Sequence, residues 1–279
     1  MQINKALFLS QEINPYLPET TMSVLGRNVP QSLQEKGIEV RTFMPKYGKI
    51  NERRNQLHEV IRLSGLNIVI DDTDHPLIIK VATLLPSRMQ VYFIDNDDYF
   101  MHRQSAAGLE IYTSPDDNDE RIMFFARGVI ETVKKLRWVP SMVHCSGWAT
   151  ALAPLYIRRM YADDPTLRDS KIIYSMFADS VPAPLSANII AKMKMDGFTD
   201  EDIEILGQSA AIDDVALGKL AIKYSDAIIQ SVPDVNPELL EYARQSGKPL
   251  LEFPDGADPE TSINDPEHLA TYKSFYESL

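Results

Sequence analysis

Carboxylates at short spacing are the first feature of this sequence that could do chemistry. Asp95, Asp97 and Asp98 follow an apolar run. Carboxylates one residue apart after a strand could hold a divalent metal and a sugar-nucleotide diphosphate, as in a small metal-dependent glycosyltransferase. The same residues are typical of an acidic turn that leaves a strand with its side chains in water. We favour the turn, and we expect neither a metal site nor another cofactor.

Two further groups place polar residues at the ends of predicted elements. Residues 116–120 precede a helix, where Asp116 or Asp117 would cap free N–H groups and interact favourably with the positive helix end. His144 follows an apolar run, and the turn after it leads to Trp148, which is typical of the rim of a site. A lone histidine in this position can equally be a hydrogen-bonded structural residue.

Composition restricts the class of protein. The chain has 279 residues, of which 44% are hydrophobic and 24% charged, as in an ordinary globular protein. Its formal net charge of -12 disfavours binding of nucleic acid through a basic surface. Cys145 is the single cysteine, which excludes an internal disulfide, and no apolar run approaches the ~20 residues of a membrane span. We therefore expect a cytoplasmic protein with neither nucleic-acid nor membrane partners.

Common motifs for phosphate binding and hydrolysis are missing from the sequence. It contains neither G-x-x-x-x-G-K-[ST] nor G-x-G-x-x-G, and neither H-E-x-x-H nor G-x-S-x-G. The simplest NTPase, dehydrogenase, zinc protease and serine hydrolase interpretations are therefore excluded.

Alternating strands and helices must position these residues. A strand over residues 6–9, a helix over 24–33 and a strand over 38–44 form a β-α-β unit, which predicts a parallel sheet and a right-handed crossover. Residues 57–96 lack helical period and are rich in β-branched and aromatic residues, which predicts strands with an antiparallel hairpin. A polar loop is predicted over 97–118.

The alternation resumes after this loop. Helices are predicted over 120–135, 149–161, 213–224, 237–245 and 268–278, with short ones near 187–195 and 200–206. Strands are predicted over 142–145, 171–177, 227–232 and 249–253. The expected fold is a single α/β domain over 1–279, with a doubly wound, mostly parallel Rossmann-like sheet and a β-hairpin insertion. Ligands of such sheets bind outside the carboxyl ends of the strands.

Five segments in the same order resemble the glycogen/starch synthase family, in its Bacteroidetes-type branch. They are LQEKGIEVRTFMPKYGKI (33–50), VYFIDNDDYFMHR (91–103), PDDNDERIMFFARGVIE (115–131), VPSMVHCSGWATALAPLYIRRMYADDP (139–165) and AIKYSDAIIQSVPDVNPELLEYARQSGKPLLEF (221–253). The resemblance implies the N-terminal half of a GT-B glycosyltransferase, without its C-terminal nucleotide-sugar-binding domain. Members transfer glucose from ADP-glucose or UDP-glucose to an α-1,4-glucan and retain the anomeric configuration.

Positions that match the donor-facing motifs of the family carry different residues. Its K-x-G-G-L motif falls on Pro18, Thr20 and Thr21. Proline has neither a charge nor an N–H to offset charge on a departing diphosphate, and threonines bring Cβ atoms where glycines let the backbone approach a ligand. The aspartate and histidine of its D-W-H-T segment fall at Gly147 and Ala149.

A third family motif, a His-Asn pair after a strand, falls near residues 177–178, which are Phe and Ala. With no catalytic residue intact, we expect a synthase-like protein that is inactive alone or needs a partner chain that supplies the other half. An α-glucan and a sugar nucleotide are its expected ligands. The expected substrate- or glucan-binding residues are those that match the family: Asp117, Asn118, Arg121, His144 and Trp148.

The alternative is a non-catalytic glucan-binding or regulatory module of glycogen metabolism. In that case Trp148, Tyr99 and Tyr156 would offer rings on which sugars stack. Tyr156 lies in an apolar run and is rather expected in the core.

Overall fold

A ten-stranded sheet forms the centre of the structure, a computed structural model that describes residues 3–101 and 117–279. The strands are β1 (Lys5–Ser10), β2 (Glu39–Pro45), β3 (His58–Glu59), β4 (Leu66–Ile70), β5 (Thr73–Leu84), β6 (Met89–Asp95), β7 (Met142–Ser146), β8 (Lys171–Met176), β9 (Ala227–Gln230) and β10 (Leu250–Leu251). Their order is β10-β9-β8-β7-β1-β2-β6-β5-β3, with β4 paired to β5. Neighbouring strands from β10 to β6 are parallel.

Helices connect these strands. They are α1 (Thr21–Glu35), α2 (Asn118–Lys135), α3 (Leu152–Arg158), α4 (Asn188–Met195), α5 (Glu204–Gln208), α6 (Asp214–Tyr224), α7 (Pro237–Gln245), α8 (Pro259–Ser262) and α9 (Pro266–Ser278). The doubly wound, mostly parallel α/β fold is therefore confirmed. None of the helices in the described ranges is long and apolar enough to cross a membrane.

The predicted hairpin is also confirmed. Strand β5 runs antiparallel to β3, β4 and β6. Asp71 and Asp72 form the tight turn between β4 and β5, both with positive φ, which matches the right-handed twist of the flanking strands.

Two predicted boundaries are wrong for local reasons. The helix expected over 149–161 is a 3₁₀ turn (Trp148–Thr150) followed by the shorter α3. Pro154 lies in the first turn of α3, where a missing N–H is tolerated. Helix α9 begins before residue 268, because Asp265 caps it and Pro266 suits its first position.

The predicted polar loop over 97–118 begins differently. Its first residues form a π-helical turn (Asp97–Met101), and the remainder, 102–116, lies outside the described residues. The candidate cap Asp116 lies there too. Asp117 occupies the N-cap position of α2, but its side chain makes no capping bond, so the predicted role is wrong. Its Oδ1 lies 3.2 Å from Nε of Arg121 instead.

Candidate functional site at the carboxyl edge of the sheet

The order of the strands reverses next to β1, because β2 and β6 extend the sheet on one side while β7 to β10 extend it on the other. Ser10, Ser146 and Ser175 lie side by side in register at the ends of three adjacent strands. The segments that leave these strands form the carboxyl edge, where ligands of open α/β sheets bind.

The start of α1 contributes the residues that match the K-x-G-G-L motif. Pro18 is exposed and carries no donor. Thr20 caps the helix, because its Oγ1 accepts from Ser23 N at 3.0 Å while Ser23 Oγ accepts from Thr20 N at 2.9 Å. Thr20 Oγ1 also donates to Glu12 Oε2 at 2.6 Å. The positive end of α1 therefore interacts with side chains of this chain.

Gly147 and Asp179 occupy the space after β7. Gly147 has a φ of 73°, a backbone conformation that favours glycine. A Cβ at this position would lie 2.3 Å from Asp179 Oδ2 and 2.6 Å from Met22 Cε. Asp179 Oδ2 accepts from the backbone N–H of Trp148 at 3.1 Å. Burial raises the pKa of Asp179 to about 7, although this hydrogen bond lowers it.

Asp179 also lines a cavity of about 240 Å³, here called the edge cavity, at the ends of β7, β8 and β9. Its lining includes Trp148, Tyr174, Asp179, Asp214, Asp234 and Asn236. Within the described part of the chain no lysine, arginine or histidine lines it. A pocket with this charge does not suit a diphosphate.

Two other positions that match donor-facing motifs carry no polar side chain. Ala149 is fully buried in the 3₁₀ turn, and Phe177 is buried directly after β8. Neither side chain can donate a hydrogen bond or a proton to a leaving group. Both the residue types and the burial of Ala149 and Phe177 therefore support the prediction that these motifs are lost.

His144 lies two residues before the end of β7 and is 3% exposed. Its Nδ1 lies 2.7 Å from the Tyr276 hydroxyl of α9, and its Nε2 lies 2.5 Å from Ser175 Oγ. Burial lowers its pKa to about 3, so the ring is neutral at physiological pH. Both ring nitrogens are thus occupied by protein groups, and a role in substrate binding stays a prediction.

The other predicted site residues lie at the start of α2. Asn118 and Arg121 are almost completely buried, and Arg121 Nη1 lies 3.5 Å from Asn118 Oδ1. Asp117 is half-buried and pairs with Arg121. Helix α2 packs against the 3₁₀ turn that begins at Trp148. The fold thus brings Trp148 near the same helix, whereas His144 lies beneath α9.

Lys192 and His75, which the sequence did not single out, belong to a network that fixes the first turn of α2 in place. Lys192 of α4 donates to Asp119 Oδ2 and Glu120 Oε1, both at 2.7 Å. The Tyr99 hydroxyl donates to Glu120 Oε2 at 2.8 Å and lies 3.0 Å from His75 Nε2. Burial alone would raise the pKa of Glu120, but the hydrogen bonds from Lys192 and Tyr99 lower it below its ordinary value. Short-range patterns could not reveal contacts between residues so distant in sequence.

The acidic cluster after β6 does not form the metal site that the competing hypothesis needs. Asp95 is buried, and its Oδ2 lies 2.8 Å from Lys80 Nζ. Asp97 and Asp98 are exposed in the turn that follows. In the ranges 3–101 and 117–279, no group of three His, Cys, Asp or Glu residues is placed to hold a metal. The solvated-turn interpretation holds for Asp97 and Asp98, and is wrong for Asp95.

Asp179 and Tyr174 are the site residues that sequence reasoning missed. Asp179 follows β8 at its carboxyl end, so the rule on ligand position in open sheets could have identified it. Tyr174 lies within a continuous apolar strand and gave no such signal.

Comparison with known proteins agrees with this architecture. Residues 5–250 match the family described as the starch synthase catalytic domain. Glycogen synthase of Chlorobaculum parvum is 29% identical over 275 residues, which cover 99% of this chain and 52% of that protein. Glycogen synthase of Chlorobium chlorochromatii is 36% identical over 173 residues, 62% of this chain and 35% of that protein.

The fold has a solved counterpart in the catalytic domain of Starch Synthase IV from Arabidopsis thaliana, bound to ADP and acarbose. The TM-score is 0.70 at 17% identity, over 94% of this chain and 53% of that one. The chain thus spans about half the length of proteins it matches over nearly all of its own. From the family match over most of its residues, the chain belongs to the starch synthase catalytic domain family.

Proposed function

We propose that this chain is a glycogen/starch synthase-like protein that handles an α-glucan and a sugar nucleotide but does not transfer glucose with its own residues. The residues at the carboxyl edge of the sheet are the observation that supports this proposal. Pro18 and Ala149 stand where the family has a lysine and a histidine, and the capping groups of α1 are used within the chain. Three carboxylates line the adjoining edge cavity.

Energetics support this proposal. Cleavage of a glycosyl diphosphate builds negative charge on the leaving group, and each preorganised donor lost costs about 2.7–4 kcal/mol of transition-state stabilisation. Two such losses amount to several powers of ten in rate. Glucosyl transfer would then require cationic groups from a separate chain that supplies the nucleotide-binding half of the synthase. In that assembly, this chain would be the domain that contacts the glucan.

A cytoplasmic location fits the same proposal. Cys145 is buried and is the single cysteine of the sequence, so it cannot form an internal disulfide. The sequence therefore has no internal disulfide of the kind that is typical of proteins in oxidising compartments. Cell fractionation that finds the protein outside the cytoplasm would contradict this assignment.

Incorporation of radiolabelled glucose tests the proposal directly. Purified chain is incubated with glycogen and either ADP-[14C]glucose or UDP-[14C]glucose, and label in the precipitated glucan is counted. We expect no incorporation above a protein-free blank, and clear turnover would disprove the inactive assignment. Pro18→Lys alone should also give no incorporation, because Ala149 still lacks the family's histidine, and Glu19→Lys on the same exposed loop is the control for the added charge.

Retardation of the chain in native gels that contain glycogen tests the proposed glucan contact. Asp117→Asn removes one charge at the half-buried start of α2, and we expect weaker retardation. Asp163→Asn is the matched control, because this exposed residue follows α3 at the opposite edge of the sheet. Equal retardation of both variants would show that the start of α2 does not contribute to glucan binding.

The second candidate, a non-catalytic glucan-binding module, loses its proposed stacking surfaces. The rings of Tyr99, Tyr156 and Trp148 are 3% exposed or less. The Tyr156 hydroxyl also donates to Asp196 Oδ2 at 2.5 Å, in agreement with the expected core position. Two results together would favour this module over the synthase-like assignment. Glycogen would retard the chain in native gels, and no glucose would be transferred even when a nucleotide-binding half is added.

A further inference from the structure

The edge cavity contains a buried polar group that the proposed synthase-like function does not use. Tyr174 on β8 is 2% exposed and lines this cavity. Across residues 3–101 and 117–279, no hydrogen bond joins its hydroxyl to another side chain or to the backbone, and the hydroxyl is not among the fully enclosed polar atoms without a partner. It is therefore open to a partner from the cavity, as tyrosine hydroxyls in buried positions usually require. Asp179 and Asp214, which line the same cavity, raise the pKa of Tyr174 beyond the effect of burial. The hydroxyl therefore lies in the field of two carboxylates.

Negative charge dominates this cavity. Asp179, Asp214 and Asp234 line it, and Glu12 lies close enough to raise the pKa of Asp179. Helices α6 and α7 begin beside it, and a helix N-terminus carries roughly half a positive charge. Above the Asp179 pKa of about 7, all three carboxyls carry charge that two such ends do not balance, and the lining described above has no cationic side chain.

The donor set also restricts the kind of cation. A metal ion needs several oxygens within coordination distance of one point, and the described residues place no group of three acidic or histidine side chains in that way. An ammonium group does not need three carboxylates around one point, because one hydrogen bond to a carboxylate and the attraction of the others at longer range are enough. The volume of about 240 Å³ is just below the ~300–1,000 Å³ typical of small-molecule sites, which favours a ligand of monosaccharide size or less.

We propose that the edge cavity binds a small organic cation with a primary ammonium group, for which Asp179 and Asp214 are the charge partners and the Tyr174 hydroxyl is a hydrogen-bond acceptor. The ammonium has three donors and no acceptor, which matches a lining of carboxylates and one phenol oxygen. Asp179 is held in place by the backbone N–H of Trp148, so it is preorganised. This proposal does not require glucosyl transfer by the chain, although Trp148, one of the expected glucan-binding residues, lines the same cavity.

Isothermal titration calorimetry on the purified chain tests the proposal with a charge-matched pair of probes. n-Butylammonium and n-butanol have nearly the same size, and only the first is charged at pH 7.5. We expect n-butylammonium to bind at least ten-fold more tightly, and its affinity to fall as NaCl is raised. Equal affinities, or no n-butylammonium binding at 20 mM or so, would overturn the proposal. Tighter binding of glucose would show a neutral sugar site instead.

Three variants locate the site. Asp179→Asn keeps an oxygen for the Trp148 N–H but removes the charge, and we expect n-butylammonium affinity to fall at least five-fold. Tyr174→Phe removes a hydroxyl that no hydrogen bond joins to another described residue, so we expect folding to stay intact and binding to weaken two-fold or more. Asp163→Asn at the opposite edge should leave affinity unchanged. Wild-type affinity in both cavity variants would disprove the assignment, whatever the outcome of the glucose-transfer assay.

Discussion

At the scale of single residues, the carboxyl edge is shaped by pairs of side chains that compensate one another. Gly147 stands where the resembling family has an aspartate, and the carboxylate of Asp179 fills the space beside it. In this chain the Trp148 N–H donates to that carboxylate, which lies on the loop after β8. The absence of a Cβ at Gly147 therefore makes room for Asp179.

Substitution of Gly147 should be costly. In Gly147→Ala the new Cβ would clash with Asp179 Oδ2, and the φ of 73° would be strained. We expect a loss of about 2–4 kcal/mol in the free energy of unfolding, measured by urea denaturation. Gly207→Ala is the control, because a Cβ there meets nothing within 4 Å and alanine favours helix α5. Equal stability of the two variants would refute the clash.

The Asp179 carboxyl should make stability depend on pH. Its pKa is 3.8 in the unfolded chain and is raised to about 7 in the folded chain. Between pH 3.8 and 7 the folded chain therefore keeps a proton that the unfolded chain has lost. Stability from this group is thus present at low pH and is lost as pH rises toward 7. Between pH 5 and 8, wild type should lose roughly 2–3 kcal/mol more than Asp179→Asn. Parallel pH profiles of the two proteins would contradict this pKa.

At the scale of elements, α9 determines the surroundings of His144. This helix packs on α1, and its Tyr276 and Tyr272 are almost completely buried. The Tyr272 hydroxyl lies 3.3 Å from Ser231 Oγ at the end of β9. Helix α9 therefore ties the last residues of the sequence to β7 and to the residue that follows β9.

Truncation of Tyr276 should separate packing from hydrogen bonding. Tyr276→Phe loses the contact with His144 Nδ1 and should cost about 1 kcal/mol, whereas Tyr276→Ala also leaves a cavity and should cost about 3–5 kcal/mol. Thermal or urea denaturation measures both values. A loss below 1 kcal/mol for Tyr276→Ala would show that α9 contributes little to the fold.

At the scale of the whole molecule, one sheet extends from β10 near the end of the chain to β3. A single hydrophobic cluster includes residues from Ile3 to Tyr276. We therefore predict one cooperative unfolding transition for residues 1–279. Circular dichroism and the fluorescence of Trp138 and Trp148 should give coincident urea curves. Two separated transitions would show that the chain contains more than one domain.

Local patterns in the sequence determined much of this protein. The period of apolar residues predicted the strands and helices of a parallel sheet, and the antiparallel hairpin followed from the β-branched residues of 57–96. Residue types also predict that Pro18 and Ala149 offer no side-chain donor to a departing diphosphate, which stays a prediction. The inferences about strands and helices succeed because backbone periodicity is a local property.

Tertiary structure alone decided what each polar residue contacts. His144 is covered by a helix that lies more than a hundred residues away in the sequence. Asp95 of β6 forms an ion pair with Lys80 of the adjacent strand β5. The edge cavity exists because the loops after β7, β8 and β9 meet, with Asp179 and Tyr174 facing the same space. Burial, ion pairing and cavity shape depend on contacts between distant segments, and no pattern within one segment encodes them.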